Sequence, residues 1–214
     1  MIAPFTIAID GTFASGKGTL AKRLAAHYGL AHLDTGKLYR AVARDVLAAG
    51  VSVDDADQAA QIASRIDATT LDDPYLKSGE IGAAASKVSV HSPVRQALFE
   101  FQRDFAARGA VLDGRDIGTV ICPDAMVKLF VDADPEVRAT RRFEELQGYG
   151  EDVTLQKVLA DLNERDHRDM NRAIAPLKPA ADAHLLDTTH LSIDAAVSTA
   201  IQLIDAVLNA KAEG

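Results

Sequence analysis

A glycine-rich stretch near the start of the chain constrains the fold more than any other feature. The stretch IDGTFASGKGTLAKRL covers residues 9–24 and follows the short apolar run FTIAI at residues 5–9. A buried strand, a glycine-rich turn and a helix in this order let backbone N–H groups surround a phosphate, and the helix N-terminus adds partial positive charge. Lys17 would add a full charge near the β and γ phosphates of a nucleotide. The sequence therefore predicts a phosphate-binding loop.

The loop departs from the strict P-loop pattern at one position. That pattern has Gly, four residues, Gly, Lys and then Ser or Thr, but here Gly18 follows Lys17 and the hydroxyl arrives with Thr19. Thr19 could orient magnesium or contact a phosphate. The alternative is a glycine-rich helix start without function, which does not explain a lysine between two glycines. We predict that ATP is held by Gly11, Thr12, Phe13, Ala14, Ser15, Gly16, Lys17, Gly18 and Thr19.

Strand and helix patterns alternate along the rest of the chain. Apolar strand candidates lie at residues 110–113, 126–132 and 184–188, and an apolar stripe at helical spacing runs from 192 to 209. This alternation predicts an α/β fold with a parallel sheet covered by helices on both faces. Residues 67–92 mix turn signals with small residues, and we interpret them as part of an inserted subdomain.

Composition and charge narrow the classes of partner. The chain has 214 residues and a formal net charge of −8, so it should be repelled by nucleic acid and by anionic membranes, and an anionic partner must be bound locally. Its N-terminal apolar run is too short for a signal peptide or a membrane span. The single Cys122 excludes an internal disulfide, and we interpret it as a packing residue. No His pair has the spacing of a helical zinc site. We expect a cytoplasmic monomer.

The segment HLDTGKLYR, residues 32–40, has the residue types of a second anion site. Thr35 and Arg40 could hold the phosphate of an acceptor, and Tyr39 could pack on a flat ring. The alternative interpretation is that Asp34 or Thr35 only caps a helix and that Arg40 is a solvated helix residue. The segment alone does not decide between the two.

The segment VLDGRDIGTV, residues 111–120, ends an apolar strand with charged side chains. Asp113 lies where an α/β sheet presents a carboxylate to magnesium or to its water ligands. Arg115 and Asp116 follow a glycine turn at the same edge of the sheet. An ordinary Asp-Gly turn would account for Asp113 without a function, but it would not account for the Arg-Asp pair.

Four motifs together resemble one family. GTFASGKGT, LDTGKLYR, LDGRDIGTVICPDA and ERDHRDMNRAIAPL occur in this order and are similar to the motifs of bacterial cytidylate kinases, which are nucleoside monophosphate kinases of the P-loop superfamily. The resemblance implies one domain over residues 1–214, with a five-stranded parallel sheet flanked by helices, a small CMP-binding insertion near 34–95 and a mobile lid near 138–172. It implies transfer of the γ-phosphoryl group of ATP to CMP or dCMP, with Mg²⁺ as cofactor.

The resemblance also implies roles for individual residues. The catalytic group would comprise Lys17, Arg141 and Arg165, and the metal would be bound by Thr19 and Asp113, directly or through water. The resemblance implies that Ser86, Arg95 and Asp116 read the base. An Asp can accept from the N4 amine of cytosine, and Arg and Ser can donate to N3 and O2, whereas uracil would leave the carboxylate unpaired. The implied CMP-binding residues are Thr35, Tyr39, Arg40, Ser86, Arg95, Arg115, Asp116, Arg165, Asp169 and Arg172.

The chain departs from the family pattern in two places. The segment SGEIGAAAS, from Ser78 to Ser86, is shorter than in longer members, which carry an additional Arg there that contacts the acceptor phosphate. Thr35 stands where Ser is common. Two other functions stay open: a kinase for AMP, UMP or shikimate, and a nucleotide-gated switch. The absence of the guanine-reading Asn-Lys-x-Asp pattern argues against the switch.

Overall fold

A computed structural model describes residues 5–212, so both ends of the predicted 1–214 domain, residues 1–4 and 213–214, lie outside the described residues. The strands are β1 Ile7–Gly11, β2 Ala31–Asp34, β3 Ala110–Gly114, β4 Val127–Asp132 and β5 His184–Asp187. The helices are α1 Lys17–Tyr28, α2 Thr35–Ala48, α3 Ala56–Ala63, α4 Gly79–Val88, α5 Ser92–Ala106, α6 Pro135–Gly148, α7 Leu155–Asn171 and α8 Ile193–Ala212.

The five strands form one parallel sheet in the order β2-β3-β1-β4-β5. Strand β1 lies at its centre, where Ile9 is in register with Asp113 of β3 and with Leu129 of β4. All five residues of β1 are buried, as expected for a strand covered on both faces. The predicted α/β architecture is confirmed. Because parallel strands end at the same edge, the phosphate loop and the carboxylates after β2 and β3 meet there.

Two hydrophobic cores lie on opposite faces of the sheet. One contains Ala8 and Leu112 with apolar residues of α2, α3, α4 and α5. The other contains Ile7, Ile9 and Val111 with residues of α1 and α8. This division follows from the alternation of side chains along each strand, which sends neighbours to opposite faces.

Helix α8 has a length and an apolar composition that would, taken alone, be sufficient to cross a membrane. One face of α8 packs in the second core through Val197, Ala200 and Ile204. The predicted apolar stripe at residues 192–209 therefore corresponds to a helix that covers the sheet.

The stretch predicted as an insertion contains more helix than its turn signals suggested. Two short 3₁₀ segments, Ala68–Asp72 and Pro74–Lys77, precede α4. The small residues of the shortened segment form α4 itself, which Ser78 caps by accepting a hydrogen bond from the backbone N–H of Ile81. Ile81 is fully buried and packs with Ala41 of α2. Small residues allow this close packing, which explains how a segment that resembles a loop becomes a buried helix.

The predicted lid consists of α6 and α7, which pack against each other. Their shared core is formed by Ala139, Leu146, Val158 and Leu162, and Phe13 of the phosphate loop packs against it. Helices α6 and α7 are thus joined to the glycine-rich loop by apolar contact.

Candidate active site

The glycine-rich loop lies between β1 and α1, as predicted. Glycine occupies positions 11 and 16 of this loop for different physical reasons. A Cβ on Gly11 would lie 1.9 Å from the backbone oxygen of Val131, so the neighbouring strand excludes any side chain. Gly16 has φ +88°, in the left-handed region that favours glycine, and no atom lies within 4 Å of its Cβ position. Helix α1 begins directly after Gly16. Sheet packing therefore requires the first glycine, and backbone conformation favours the second.

Lys17 is buried within this loop. Its Nζ donates a hydrogen bond to the backbone oxygen of Thr12 at 3.1 Å. Burial, and then the positive charge of Arg115, lower the pKa of Lys17 to about 7. A phosphate bound in the loop would stabilise the protonated form of Lys17, because it would bring a negative charge close to the buried ammonium group.

A cleft of about 440 Å³ opens between the phosphate loop and the insertion. Eight basic residues line it: Lys17, Lys22, Lys37, Arg40, Lys77, Arg115, Arg142 and Arg165. Five acidic residues line it: Asp34, Asp72, Asp73, Asp113 and Glu145. The whole chain has the opposite balance, 23 basic and 31 acidic residues. The cleft is therefore a local site for an anion in an acidic protein.

The positive charge of Arg165, which lines this cleft, is only partly balanced by neighbouring carboxylates. Arg165 stacks 4.1 Å from the centre of the Phe13 ring, and its Nε has no hydrogen-bond partner among the described residues. Asp169 Oδ2 lies 4.0 Å from Arg165 Nε. The same oxygen accepts a hydrogen bond from Arg115 Nε at 2.9 Å. Burial and the charge of Arg115 lower the pKa of Arg165 to about 9. A bound phosphate would relieve this repulsion.

Arg40 lies in the same cleft. Its Nη1 donates to the backbone oxygen of Leu76 at 2.6 Å, and burial followed by the charge of Arg142 lowers its pKa. The Cβ position of Gly82 is 3.5 Å from Arg40 Nη1. Gly82, in the shortened segment, therefore leaves room for the guanidinium beside α4.

Thr35 does not line the cleft. It is buried, and its hydroxyl donates to the backbone oxygen of Asp113 at 2.8 Å. A hydroxyl that donates there can only accept on its other side, and an acceptor phosphate needs donors. A role of Thr35 in CMP binding stays a prediction, and it requires the hydroxyl to rotate.

Asp116 and Arg95, two of the residues expected to recognise the base, lie in a second cluster. Asp116 forms ion pairs with Arg95 and with Arg172, whose Nη2 lies 3.4 Å from its Oδ1. The guanidinium of Arg95 lies 5.7 Å from the centre of the Tyr39 ring. Arg172 follows the last residue of α7, so α7 and the loop after β3 meet at this point. The structure brings together four of the predicted CMP-binding residues here.

Ser86 joins this region through a residue that the sequence did not single out. Its Oγ accepts a hydrogen bond from Arg168 Nη1 at 2.6 Å. Because the oxygen accepts from Arg168, the hydroxyl hydrogen is free to be donated to a ligand. Arg168 lies within the motif ERDHRDMNR, so its position in the motif was the available signal.

The oxygen ligands expected for magnesium lie at the edge of the sheet. Asp113 Oδ1 is 3.1 Å from His32 Nε2, and Thr19 is exposed near the start of α1 and lines the cleft. Burial and the charge of Asp113 raise the pKa of Asp34. Among residues 5–212, no group of three or more His, Cys, Asp or Glu side chains could hold a metal by itself. A hydroxyl and isolated carboxylates fit Mg²⁺, which keeps waters and binds largely through substrate phosphates.

A separate cavity of about 390 Å³ lies beside the phosphate loop, and Ala14, Gly16 and Thr19 are among its lining residues. Arg141 closes one side, with Nη2 donating to the backbone oxygen of Thr188 at 2.7 Å. Arg141 does not line the cationic cleft, whereas Arg142 lines both spaces. Of these two neighbours, Arg142 is the one that lines the same cleft as Lys17. Sequence reasoning missed the segment after β5 that lines this cavity, Thr188, Leu191, Ser192, Ile193 and Ala196.

Comparison with known proteins identifies the family. A family model described as cytidylate kinase matches residues 7–206. The chain belongs to the cytidylate kinase family. It is 58% identical over 203 residues to the cytidylate kinase of Bradyrhizobium sp. (strain ORS 278), covering 94% of this chain and 96% of that protein. It is 60% identical over 203 residues to that of Rhodopseudomonas palustris (strain TIE-1), with the same coverage. The family predicted from the four motifs is confirmed.

Solved structures of lower identity support the fold of this family member. An uncharacterized protein from Eubacterium ventriosum ATCC 27560 matches with a TM-score of 0.53 and 18% identity, covering 94% of this chain and 98% of that one. TT1252 from Thermus thermophilus matches with a TM-score of 0.50 and 22% identity, covering 95% and 97%. At these identities the likeness concerns the fold alone.

Proposed function

We propose that this protein is a (d)CMP kinase, which transfers the γ-phosphoryl group of ATP to the 5′-phosphate of CMP or dCMP and gives ADP with CDP or dCDP. The single observation that carries the proposal is the cationic cleft facing the phosphate loop. Its excess of basic side chains, in a chain of net charge −8, supports a second phosphate-bearing substrate opposite ATP. Membership of the cytidylate kinase family supports CMP as that substrate.

Alignment and charge neutralisation are the chemistry that this cleft supports. The acceptor oxygen is a phosphate oxygen that is already largely ionised near neutral pH, so no dedicated general base is needed. Lys17 and Arg165 would neutralise the charge that spreads over the transferred group. Arg40 and Arg115 would hold the acceptor phosphate in line. Closure of the lid would exclude water, which otherwise competes as the acceptor.

Base selection would rest on Asp116. Its carboxylate can accept from the N4 amine of cytosine, whereas the C4 carbonyl of uracil has no hydrogen to donate and would face the carboxylate acceptor to acceptor. Arg95 and Arg172 pair with the same carboxylate and hold it in place. Asp169 would bind a sugar hydroxyl.

Mg²⁺ is the proposed cofactor, with Thr19 and Asp113 as the residues that would hold it, directly or through water. When bound with ATP, the ion neutralises charge on the β and γ phosphates. A carboxylate and a hydroxyl match its preference for oxygen ligands.

The shortened Ser78–Ser86 segment lacks one Arg of longer family members, and the cleft suggests what replaces it. Arg142 from the lid and Lys77 from the insertion both line the cleft beside Arg40. Arg142 Nη2 donates to the backbone oxygen of Lys77 at 3.2 Å, so the guanidinium lies beside the main chain of the residue that carries the second cation. We propose that Arg142 and Lys77 share the phosphate contact of the missing Arg.

Location and assembly follow as parts of the same proposal. We propose a cytoplasmic monomer without a nucleic-acid or membrane partner, with an insertion near 34–95 and a mobile lid near 138–172. The acidic net charge supports the absence of anionic macromolecular partners.

The test is ADP production from magnesium ATP with CMP, dCMP, UMP, AMP and GMP offered separately at equal concentration. Strong turnover with CMP and dCMP alone is expected. Comparable turnover with UMP would retain a kinase but reject base selection by Asp116. If no monophosphate stimulates ATP turnover, the protein is a nucleotide-gated switch and the proposal fails.

A further inference from the structure

The carboxylate of Asp10 occupies a position that the proposed chemistry does not explain. Asp10 lies in β1 immediately before the phosphate loop, is 4% exposed, and does not line the cationic cleft. Burying an ionised carboxylate is unfavourable unless hydrogen bonds replace the lost water. The role of Asp10 must therefore be sought among its contacts inside the protein.

Both oxygens of this carboxylate accept hydrogen bonds from the loop that follows β3. Oδ1 accepts from the backbone N–H of Ile117, and Oδ2 accepts from that of Gly118, each at 2.7 Å. These N–H groups open the π-helical turn Ile117–Ile121. The first N–H groups of a helical turn have no acceptor within the turn. Asp10 provides that acceptor from the neighbouring strand.

Asp116 is the residue that would ordinarily cap this turn, because it directly precedes the turn and Asp is a preferred N-cap residue. Its side chain makes no cap hydrogen bond. Its carboxylate instead forms ion pairs with Arg95 and Arg172. Two tasks are thus divided between two carboxylates: Asp10 holds the turn, and Asp116 is available to the base-recognition cluster.

Close packing around the turn means that a displaced Asp10 would displace the turn as well. A Cβ on Gly118 would lie 3.4 Å from Asp10 Oδ2 and 3.2 Å from Lys128 Cδ. Lys128 is buried, and its Nζ donates to the backbone oxygen of Pro123 at 2.6 Å, so the far end of the same loop is held too.

We propose that Asp10 is a positioning residue for acceptor recognition, whose carboxylate fixes the turn that begins after Asp116 and so places the group that selects cytosine. The inference rests on the proposed function and gives Asp10 no contact with either substrate. Its effect should be on the choice and binding of CMP, although its neighbour Gly11 belongs to the ATP loop.

The variant Asp10→Asn tests this inference. Asparagine keeps the shape and one acceptor, but its amide turns the other oxygen into a donor that faces a backbone N–H. We expect the ratio of kcat/KM for CMP to that for UMP to fall at least fivefold, the KM for CMP to rise about tenfold, and the KM for ATP to stay within twofold. Ile204→Ala, a cavity variant in the second core, is the control: it lowers stability and should leave the ratio unchanged.

The inference is overturned if the CMP-to-UMP ratio of Asp10→Asn equals that of the wild type, or if the KM for ATP rises as much as that for CMP. If Asp10→Asn yields no folded protein, Gly118→Ala carries the test, because its methyl group would lie 3.2 Å from the buried Lys128 Cδ, closer than ordinary contact, and would shift the turn that Asp10 holds. The same fall in the ratio is expected there, and an unchanged ratio rejects the inference. Failure of the proposed function looks different, since the wild type itself would then not phosphorylate CMP.

Discussion

At the scale of single residues, the most consequential side chain is a buried lysine. Lys17 packs inside the phosphate loop with its ammonium on a backbone carbonyl. Burial lowers its pKa to about 7, so in the folded protein the charged form is disfavoured relative to the unfolded chain. The contribution of Lys17 to stability is therefore unfavourable at and below pH 7 and becomes less so as the pH rises toward 10.5. The presence of a lysine at this buried position is therefore better explained by phosphate binding than by a contribution to stability.

Replacing Lys17 by methionine should separate the two properties. Methionine keeps the apolar stem and removes the charge, so kcat should fall about 100-fold or more, while the melting temperature should equal or exceed that of the wild type. Steady-state kinetics and thermal unfolding at pH 7 measure the two effects. A large fall in melting temperature with little loss of rate would reject a catalytic role for Lys17.

The same residue predicts a pH dependence of ATP binding. Above about pH 7 the free protein loses the Lys17 proton, whereas bound phosphates favour the protonated form. The dissociation constant of ATP should thus increase as the pH rises from 7 to 9, by at most about tenfold per pH unit. In Lys17→Arg the guanidinium stays protonated, so the increase should be absent. Calorimetric titration of both proteins isolates the effect, since the ionisation of ATP itself is common to both. Equal pH profiles would contradict the account.

At the scale of elements, a carboxylate joins the connection between α6 and α7, in the predicted lid, to α4, in the predicted insertion. Glu151, in the connection between α6 and α7, accepts a hydrogen bond from the backbone N–H of Gly79 at 2.8 Å. Gly79 is the first residue of α4, and a Cβ there would lie 2.8 Å from Glu151 Oε2. A carboxylate at a helix N-terminus is stabilising. Lid position and the position of α4, which carries Ser86, are therefore linked.

Removing this link should affect the acceptor side. In Glu151→Ala we expect the KM for CMP to rise about two- to fivefold, which corresponds to the roughly 0.3–1 kcal/mol of such a helix-end interaction. Glu144→Ala, an exposed position on α6, is the matched control with the same change in charge. Initial rates at varied CMP measure the effect. Equal KM values for the two variants would show that the hydrogen bond between Glu151 and Gly79 does not contribute to CMP binding.

The sequence predicted elements with a strong local pattern and missed those that depend on distant partners. Strand β1 and helix α1 were predicted from an apolar run followed by a glycine-rich turn, and α1 spans Lys17–Tyr28 directly after that turn. Helix α4 was missed because its small residues carry little periodic signal. The contacts of Asp10, Glu151 and Arg168 join residues 72 to 108 positions apart, and no local pattern reports such a contact.

At the scale of the whole molecule, the fold concentrates positive charge in one cleft although the chain as a whole is acidic. The chain is acidic overall, yet basic residues from α1, α2, α6, α7, the insertion and the loop after β3 line one cleft. The topology explains this, because the carboxyl ends of the parallel strands lie at one edge of the sheet, where the segments that follow them converge. The net charge of the chain could not locate the anion site.

The most direct test of the account is the specificity of Asp116→Asn. An asparagine amide can donate to the C4 carbonyl of uracil, which a carboxylate cannot do. The measurement is the ratio of kcat/KM for CMP to that for UMP in the wild type and the variant, a ratio that does not depend on the fraction of active protein. The account predicts a high ratio in the wild type and a fall of at least tenfold in the variant. An unchanged ratio would contradict base recognition by Asp116 and, with it, the proposed organisation of the acceptor site.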